Sequence, residues 1–211
     1  DVSDSHGLIH VIGAPEEVWA RIPIPEGIQW RRSKRYGMGG IDLFGPAERV
    51  AAISHLGVLE GALAVDAGTE ETFRIEQGIP RWEAELDENT LPAEAGLDVA
   101  AIDFHKGCYI GQEIISRIKS VGRVNRHLVG FVAAKALSAG TPVMQVGGEG
   151  QGGHEGREVG VITSEAWSFA LDKGVALGYL KRGVEAQRLL AGEVEVEVCP
   201  LPLLGRGGFG G

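Results

Sequence analysis

The spacing of apolar residues changes near Arg126, and that change limits the possible folds more than any other feature. Beyond it, "RHLVGFVAA", "TPVMQVG", "REVGVITS" and "GVALGYLKR" are short and bounded by turn residues. "EVEVEV", Glu193 to Val198, alternates strictly between glutamate and valine. Strict alternation marks a strand with one face buried and one in water. Several such strands in succession predict a small antiparallel β-barrel over residues 126–204. The glycine-rich end, residues 205–211, predicts a disordered tail.

Before Arg126 the elements alternate. "GLIHVIG" reads as a strand, and "APEEVWARI" as a helix with Pro15, Glu16 and Glu17 in its first turn. "GIQWRRSKRYG" and "GIDLFG" read as two further strands. "PAERVAAISHLG" has Val50, Ile53 and Leu56 on one stripe, with Gly57 as its stop. The order βαββα is part of a ferredoxin-like layer, so residues 1–125 are expected to form an α+β domain ahead of the barrel. The loop "GGEGQGGHEG" contains the spacing G-x-G-x-x-G at Gly148, Gly150 and Gly153. A strand follows it, not the helix a dinucleotide site needs, and it is expected only to be mobile.

Composition excludes several classes. Apolar runs are too short for a membrane helix, which needs about 20 residues. The opening "DVSDSHG" has no initiator Met and no basic segment of a signal peptide, and reads as the start of a fragment of a longer protein. Two cysteines without CxxC spacing, and six histidines of which only His6 and His10 stand at HxxxH spacing, predict neither a disulfide framework nor an intrinsic metal site. A reducing compartment is expected, the cytoplasm, or the mitochondrial matrix in a eukaryote.

The net charge of −9 argues against direct nucleic-acid binding. The charge is uneven. From His105 to His127 five Lys/Arg face one acid, a local +4 that leaves −13 on the rest. A second basic knot, "RRSKR", spans Arg31 to Arg35. Each is either a solvated face or a site for an anionic ligand.

Cys108 lies inside the first of these stretches, in "DFHKGCYIGQEIISRIKS". The segment after Gly111 is amphipathic, so the thiol is expected just ahead of a helix N-terminus and beside Lys106. Both features favour a thiolate. The alternative is an inert core cysteine, which is the reading for Cys199 between Val198 and Pro200.

The blocks "RIEQGIPRW" (Arg74–Trp82), "KGCYIGQE" (Lys106–Glu113) and "GRVNRHLVGF" resemble the YgfZ family, folate-binding relatives of the glycine cleavage T-protein. The resemblance extends over nearly the whole chain, including the barrel. It implies that the first third of the folate domain, which carries the catalytic aspartate of the transferases, lies outside this sequence. It also implies tetrahydrofolate as cofactor and iron–sulfur client or assembly proteins as partners, among them the enzymes that methylthiolate tRNA. The transferases carry R-x-G-Y-T-G-E, and the matching "RYGMGGI" has Ile41 where their pterin-binding acid stands. That departure speaks against aminomethyl transfer, the alternative activity.

The resemblance assigns Cys108 to the chemistry, with Lys106, Tyr109 and Gln112 around it. Arg74 is expected on the folate carboxylate tail. Glu76, two positions on along a strand, would orient Arg74 or touch the pterin, and Trp82 would wall the pocket.

Overall fold

The computed structural model describes residues 1–13, 24–55, 62–98, 100–121, 124–146, 156–184 and 188–205. The predicted helix in "APEEVWARI", the end of the "PAERVAAISHLG" helix with Leu56 and Gly57, nearly all of the "GGEGQGGHEG" loop and the tail beyond Gly205 fall outside these residues. The chain divides into two compact units, Asp1–Asp66 and Ala67–Gly211.

In the first unit, β1 (His6–Ile12), β2 (Gln29–Ser33) and β3 (Gly40–Pro46) form an antiparallel sheet in the order β1-β3-β2. Helix α1 (Ala47–His55) follows β3 directly. Alternation along β3 sends Ile41 and Leu43 to one face, where they pack with Ile28 and with Val50 and Ile53 of α1. Asp42 and Phe44 point to the other face, together with Leu8 and His10 of β1 and Gln29 and Arg31 of β2. Strands and helix follow the expected order.

The second unit begins with α2 (Ala67–Glu76) and continues through α3 (Gln112–Val121) into a closed six-stranded barrel. Its strands are β4 (Arg126–Ala133), β5 (Pro142–Gln145), β6 (Arg157–Ser168), β7 (Lys173–Lys181), β8 (Leu189–Ala191) and β9 (Val194–Cys199). They run β4-β7-β6-β5-β8-β9 around the barrel, and β9 closes on β4. Thus the barrel starts at Arg126, where the apolar pattern changes. Phe131, Val143, Val159, Ile162, Leu180 and Val196 fill its interior. Gly178 makes room for the Phe131 ring, since a Cβ there would lie 2.9 Å from it.

A second apolar layer covers the outside of the barrel. Ile75 of α2 packs on Val132, Val175 and Leu177, with Cys199, Leu201 and Leu203 beside them. Strands β4 and β7 are therefore covered on both faces, and their sequences are nearly continuous apolar runs. This packing is why residues from Ala67 group with the barrel, whereas the sequence pattern puts its break at Arg126.

The block around Arg74 differs from expectation. "RIEQG" is not a strand but the last turn of α2 and its cap. Gly78 has φ +70°, its N–H donates to Ile75 O, and Ile79 N–H donates to Arg74 O. These two bonds form a Schellman stop, with Pro80 just beyond it. Arg74 and Glu76, two apart on a helix, leave the axis on opposite sides.

Candidate functional site

The cysteine loop is built from two local turns. Asp103 Oδ1 accepts the backbone N–H groups of His105 (2.8 Å) and Lys106 (3.2 Å), which fixes the entry. At the exit, Tyr109 and Gln112 bind reciprocally: Tyr109 N–H donates to Gln112 Oε1 and Gln112 N–H to Tyr109 O, both at 3.3 Å. Gly111, at φ +88°, provides the left-handed residue that lets α3 start at Gln112. Cys108 stands exposed between the two turns. Lys106 Nζ sits 4.8 Å from the centre of the Tyr109 ring, a cation–π contact.

Beneath the loop is a cavity of about 340 Å³, with Leu91, Ile102, Lys106, Tyr109, Ile110 and Ile114 among the residues lining it. Ile110 is wholly exposed and Ile114 is 57% exposed. The structure thus links Lys106 to Tyr109 and Tyr109 to Gln112, with Cys108 between Lys106 and Tyr109 in the chain. Cys199 instead packs in the layer under α2, where burial and then Glu197 push its thiol up, so it stays protonated.

Arg74 does not face a ligand. Its guanidinium has five N–H groups, and each has a partner. Nε and Nη2 donate to Glu71 at 2.9 and 2.7 Å, and Nη2 donates again to Ser164 Oγ at 2.7 Å. Nη1 donates to Ile79 O (2.5 Å) and Glu85 Oε2 (2.9 Å). No N–H is left for a carboxylate tail, so the expected tail contact is replaced by an internal one. Burial alone would lower the Arg74 pKa, but the bonds from Glu71 and Glu85 outweigh it and raise it. Glu76 is buried in the last turn of α2, where its carbonyl accepts Leu203 N–H. Trp82 is 58% exposed and lines neither cavity described here.

The sequence reading missed Glu85, which the chain uses most heavily. Its side chain is fully buried, and Oε1 accepts from Thr163 (2.7 Å) and Ser164 (2.5 Å). Oε2 accepts from Arg74 and from Arg81 N–H. Adjacent strand residues normally point to opposite faces. A bulge in β6 between Ile162 and Ser164 lets Thr163 and Ser164 reach the same carboxylate. Tyr179 Oη donates to Glu85 O, and burial pushes its phenol up to about 12. Glu94 adds an ion pair to Arg126 at 3.0 Å, and Arg126 stacks on Tyr179. The segment "EAELDENTLPAEAGL" is thereby fastened to the barrel.

In the first unit Asp42, 1% exposed, receives three partners. His10 Nδ1 lies 2.7 Å away, Arg35 Nε 2.9 Å, and Arg31 Nη2 3.1 Å. Burial would raise the Asp42 pKa, but the bonds from Arg35, His10 and Arg31 prevail and hold it at about 2. The "RRSKR" knot is therefore partly a counter-ion for a buried carboxylate. The neighbouring Ile41 is 1% exposed in the apolar core, where it makes no polar contact. Among the described residues, no group of three or more His, Cys, Asp and Glu is placed to hold a metal. No helix among them is long and apolar enough to cross a membrane.

Residues 126–203 match the glycine cleavage T-protein C-terminal barrel domain. The crystal structure of the glycine cleavage system aminomethyltransferase T from Bartonella henselae superposes with a TM-score of 0.66 at 21% identity, over 85% of this chain and 50% of that one. The fold is T-protein-like. Aminomethyltransferases also match in sequence. That of Prochlorococcus marinus is 28% identical over 82% of this chain and 44% of its own length. That of Symbiobacterium thermophilum is 32% identical over 76% of this chain and 41% of its own length. The chain spans about half the length or less of the curated relatives it matches. Within this T-protein-like fold, the barrel carries the family match and the cysteine loop precedes it.

Proposed function

We propose that this chain is part of a YgfZ-like tetrahydrofolate-binding accessory protein that supports assembly or repair of iron–sulfur clusters, including those of enzymes that methylthiolate tRNA. One observation carries the reading: in a T-protein-like fold, Cys108 is held exposed by the Asp103 and Tyr109–Gln112 turns, beside Lys106. A lone thiol can carry sulfur or contact a cluster in passing, but cannot replace the four ligands of a stable one. In this reading Cys108 does the chemistry, and Tyr109 and Gln112 position it. The cavity below, within the usual range of about 300–1,000 Å³ for ligand sites, receives part of the folate, with Lys106 as its cation.

The test uses cells that lack their YgfZ-like protein. They are supplied with this protein, wild type or Cys108→Ala, and methylthiolated tRNA is measured. Rescue by the wild type and its loss in a folded Cys108→Ala variant are expected. Failure of the wild type would overturn the reading, and equal rescue by both would reduce Cys108 to a surface residue.

A second reading, folate-dependent aminomethyl transfer, is favoured by the names of the relatives. Ile41, buried where the transferases have an acid, opposes it. Detectable aminomethyl transfer to tetrahydrofolate would support this second activity.

A further inference from the structure

The Asp42 cluster is not used by the folate reading, and it has a surplus of positive charge. Arg31 and Arg35 both bind the single carboxylate, leaving a net +1 even with His10 neutral. Arg31 spends Nε–H and one Nη2–H on Asp42. Three of its five N–H groups remain, on a side chain that is 73% exposed. Holding Arg31 through Nε removes much of the freedom that a long side chain loses on binding a ligand.

Beside this guanidinium the open face of the sheet forms a cavity of about 350 Å³, lined by Leu8, Gln29, Trp30, Arg31, Asp42 and Phe44. Leu8 and Phe44 are 42% and 37% exposed there, while the opposite face of the same sheet, to which Trp30 projects from its position opposite Leu43, is packed against α1. The Phe44 ring and Leu8 offer apolar area to a flat group. Gln29 offers an amide, and Arg31 a planar fork matched to a carboxylate. Asp42 itself is committed and takes no part as a base.

We propose that this cavity binds an aromatic carboxylic acid, with its ring against Phe44 and Leu8 and its carboxylate on Arg31, at a site separate from that of folate. The size admits one ring system and its acid group. The surplus charge selects the anion over a neutral ring of the same shape. The assignment stands whether or not the folate reading does.

The probe is 2-naphthoate, titrated into the isotopically labelled chain and followed by backbone amide shifts, with neutral 2-naphthamide as control. Shifts centred on Leu8, Gln29, Arg31 and Phe44 are expected, with binding about tenfold tighter for the acid than for the amide, as befits a charged hydrogen bond. Arg31→Gln, at an exposed position, keeps the fold and brings acid and amide to the same affinity. Leu8→Ser weakens both. Equal binding of the two probes by the wild type, shifts centred elsewhere, or full acid affinity in Arg31→Gln would overturn the proposal. So would displacement of 2-naphthoate by folinate, which would make the cavity part of the folate site. Self-association of the chain that covers this face, seen by sedimentation, would overturn it too.

Discussion

Arg74 Nη1 and Glu85 Oε2 meet at 2.9 Å with their side chains 3% and 0% exposed, and every remaining donor and acceptor position of the pair is filled from α2, from the following turn or from β6. Two buried charges persist in this way only when each lone pair and proton has a partner. Removing one member leaves the other uncompensated. Glu85→Ala is therefore expected to destabilise the second unit by about 3–5 kcal/mol. Urea unfolding followed through the barrel tryptophan, Trp167, checks it. A loss below about 1 kcal/mol would mean that the pair is hydrated and dispensable.

Asp42 sets an acid limit on the first unit. Its folded pKa of about 2 lies below the ordinary 3.8, so its contribution is complete above pH 4 and fades as pH falls towards 2. The difference corresponds to about 2 kcal/mol. Denaturant titrations at pH 5, 3 and 2 should show this component in the wild type and not in Asp42→Asn, which lacks it at every pH.

Tyr179 acts at the opposite end of the scale. Its phenol is held at about 12 against an ordinary 10, so an unfolded chain ionises first as pH rises. The stability it gives is complete below pH 10 and is lost between 10 and about 12. Tyr179→Phe should flatten that part of the stability profile, at the expense of the bond to Glu85 O.

The two thiols should differ in reactivity. Cys108 is exposed, whereas Cys199 packs under α2 with its thiol pushed up. Alkylation of the native chain with iodoacetamide, mapped by mass spectrometry, should modify Cys108 at least about tenfold faster. Equal rates would mean that the layer around Leu201 and Leu203 opens readily.

Gly111→Ala tests the loop. At φ +88° a side chain is strained by about 1–2 kcal/mol. No atom lies near its would-be Cβ, so backbone conformation and not a clash sets the effect. The expected outcome is a disturbed Tyr109–Gln112 turn, seen as amide shifts from Tyr109 to Gln112 without change in the barrel.

The barrel was legible because its strands declare themselves one by one, as the alternation of "EVEVEV" does, with Val196 buried and Glu195 and Glu197 exposed. The cysteine loop was legible because its turns are local, closed within three residues of sequence. The Arg74 block was misread for a physical reason. Arg74 and Glu76, two apart, mimic a strand face, while the decisive signals were the acid at Glu70, the base at Arg74 and a glycine stop before Ile79-Pro80. Glu85 could not be found from sequence. Its partners lie on α2 and β6, and a strand bulge that no pattern announces aligns the two hydroxyls it uses. Asp42 left a faint trace as one acid in an apolar strand opposite a basic one.

The outer layer shared by Ile75, Val132, Val175 and Leu177 separates two ways of cutting the chain. The stretch matched as the barrel domain runs from 126 to 203, but the stretch that keeps this outer layer covered starts at Ala67. A gene piece begun at Arg126 would carry the whole inherited module and still misbehave in the test tube, with two of its strands bare on the outside. What descent copies as one block and what solvent accepts as one block are here different lengths of polypeptide.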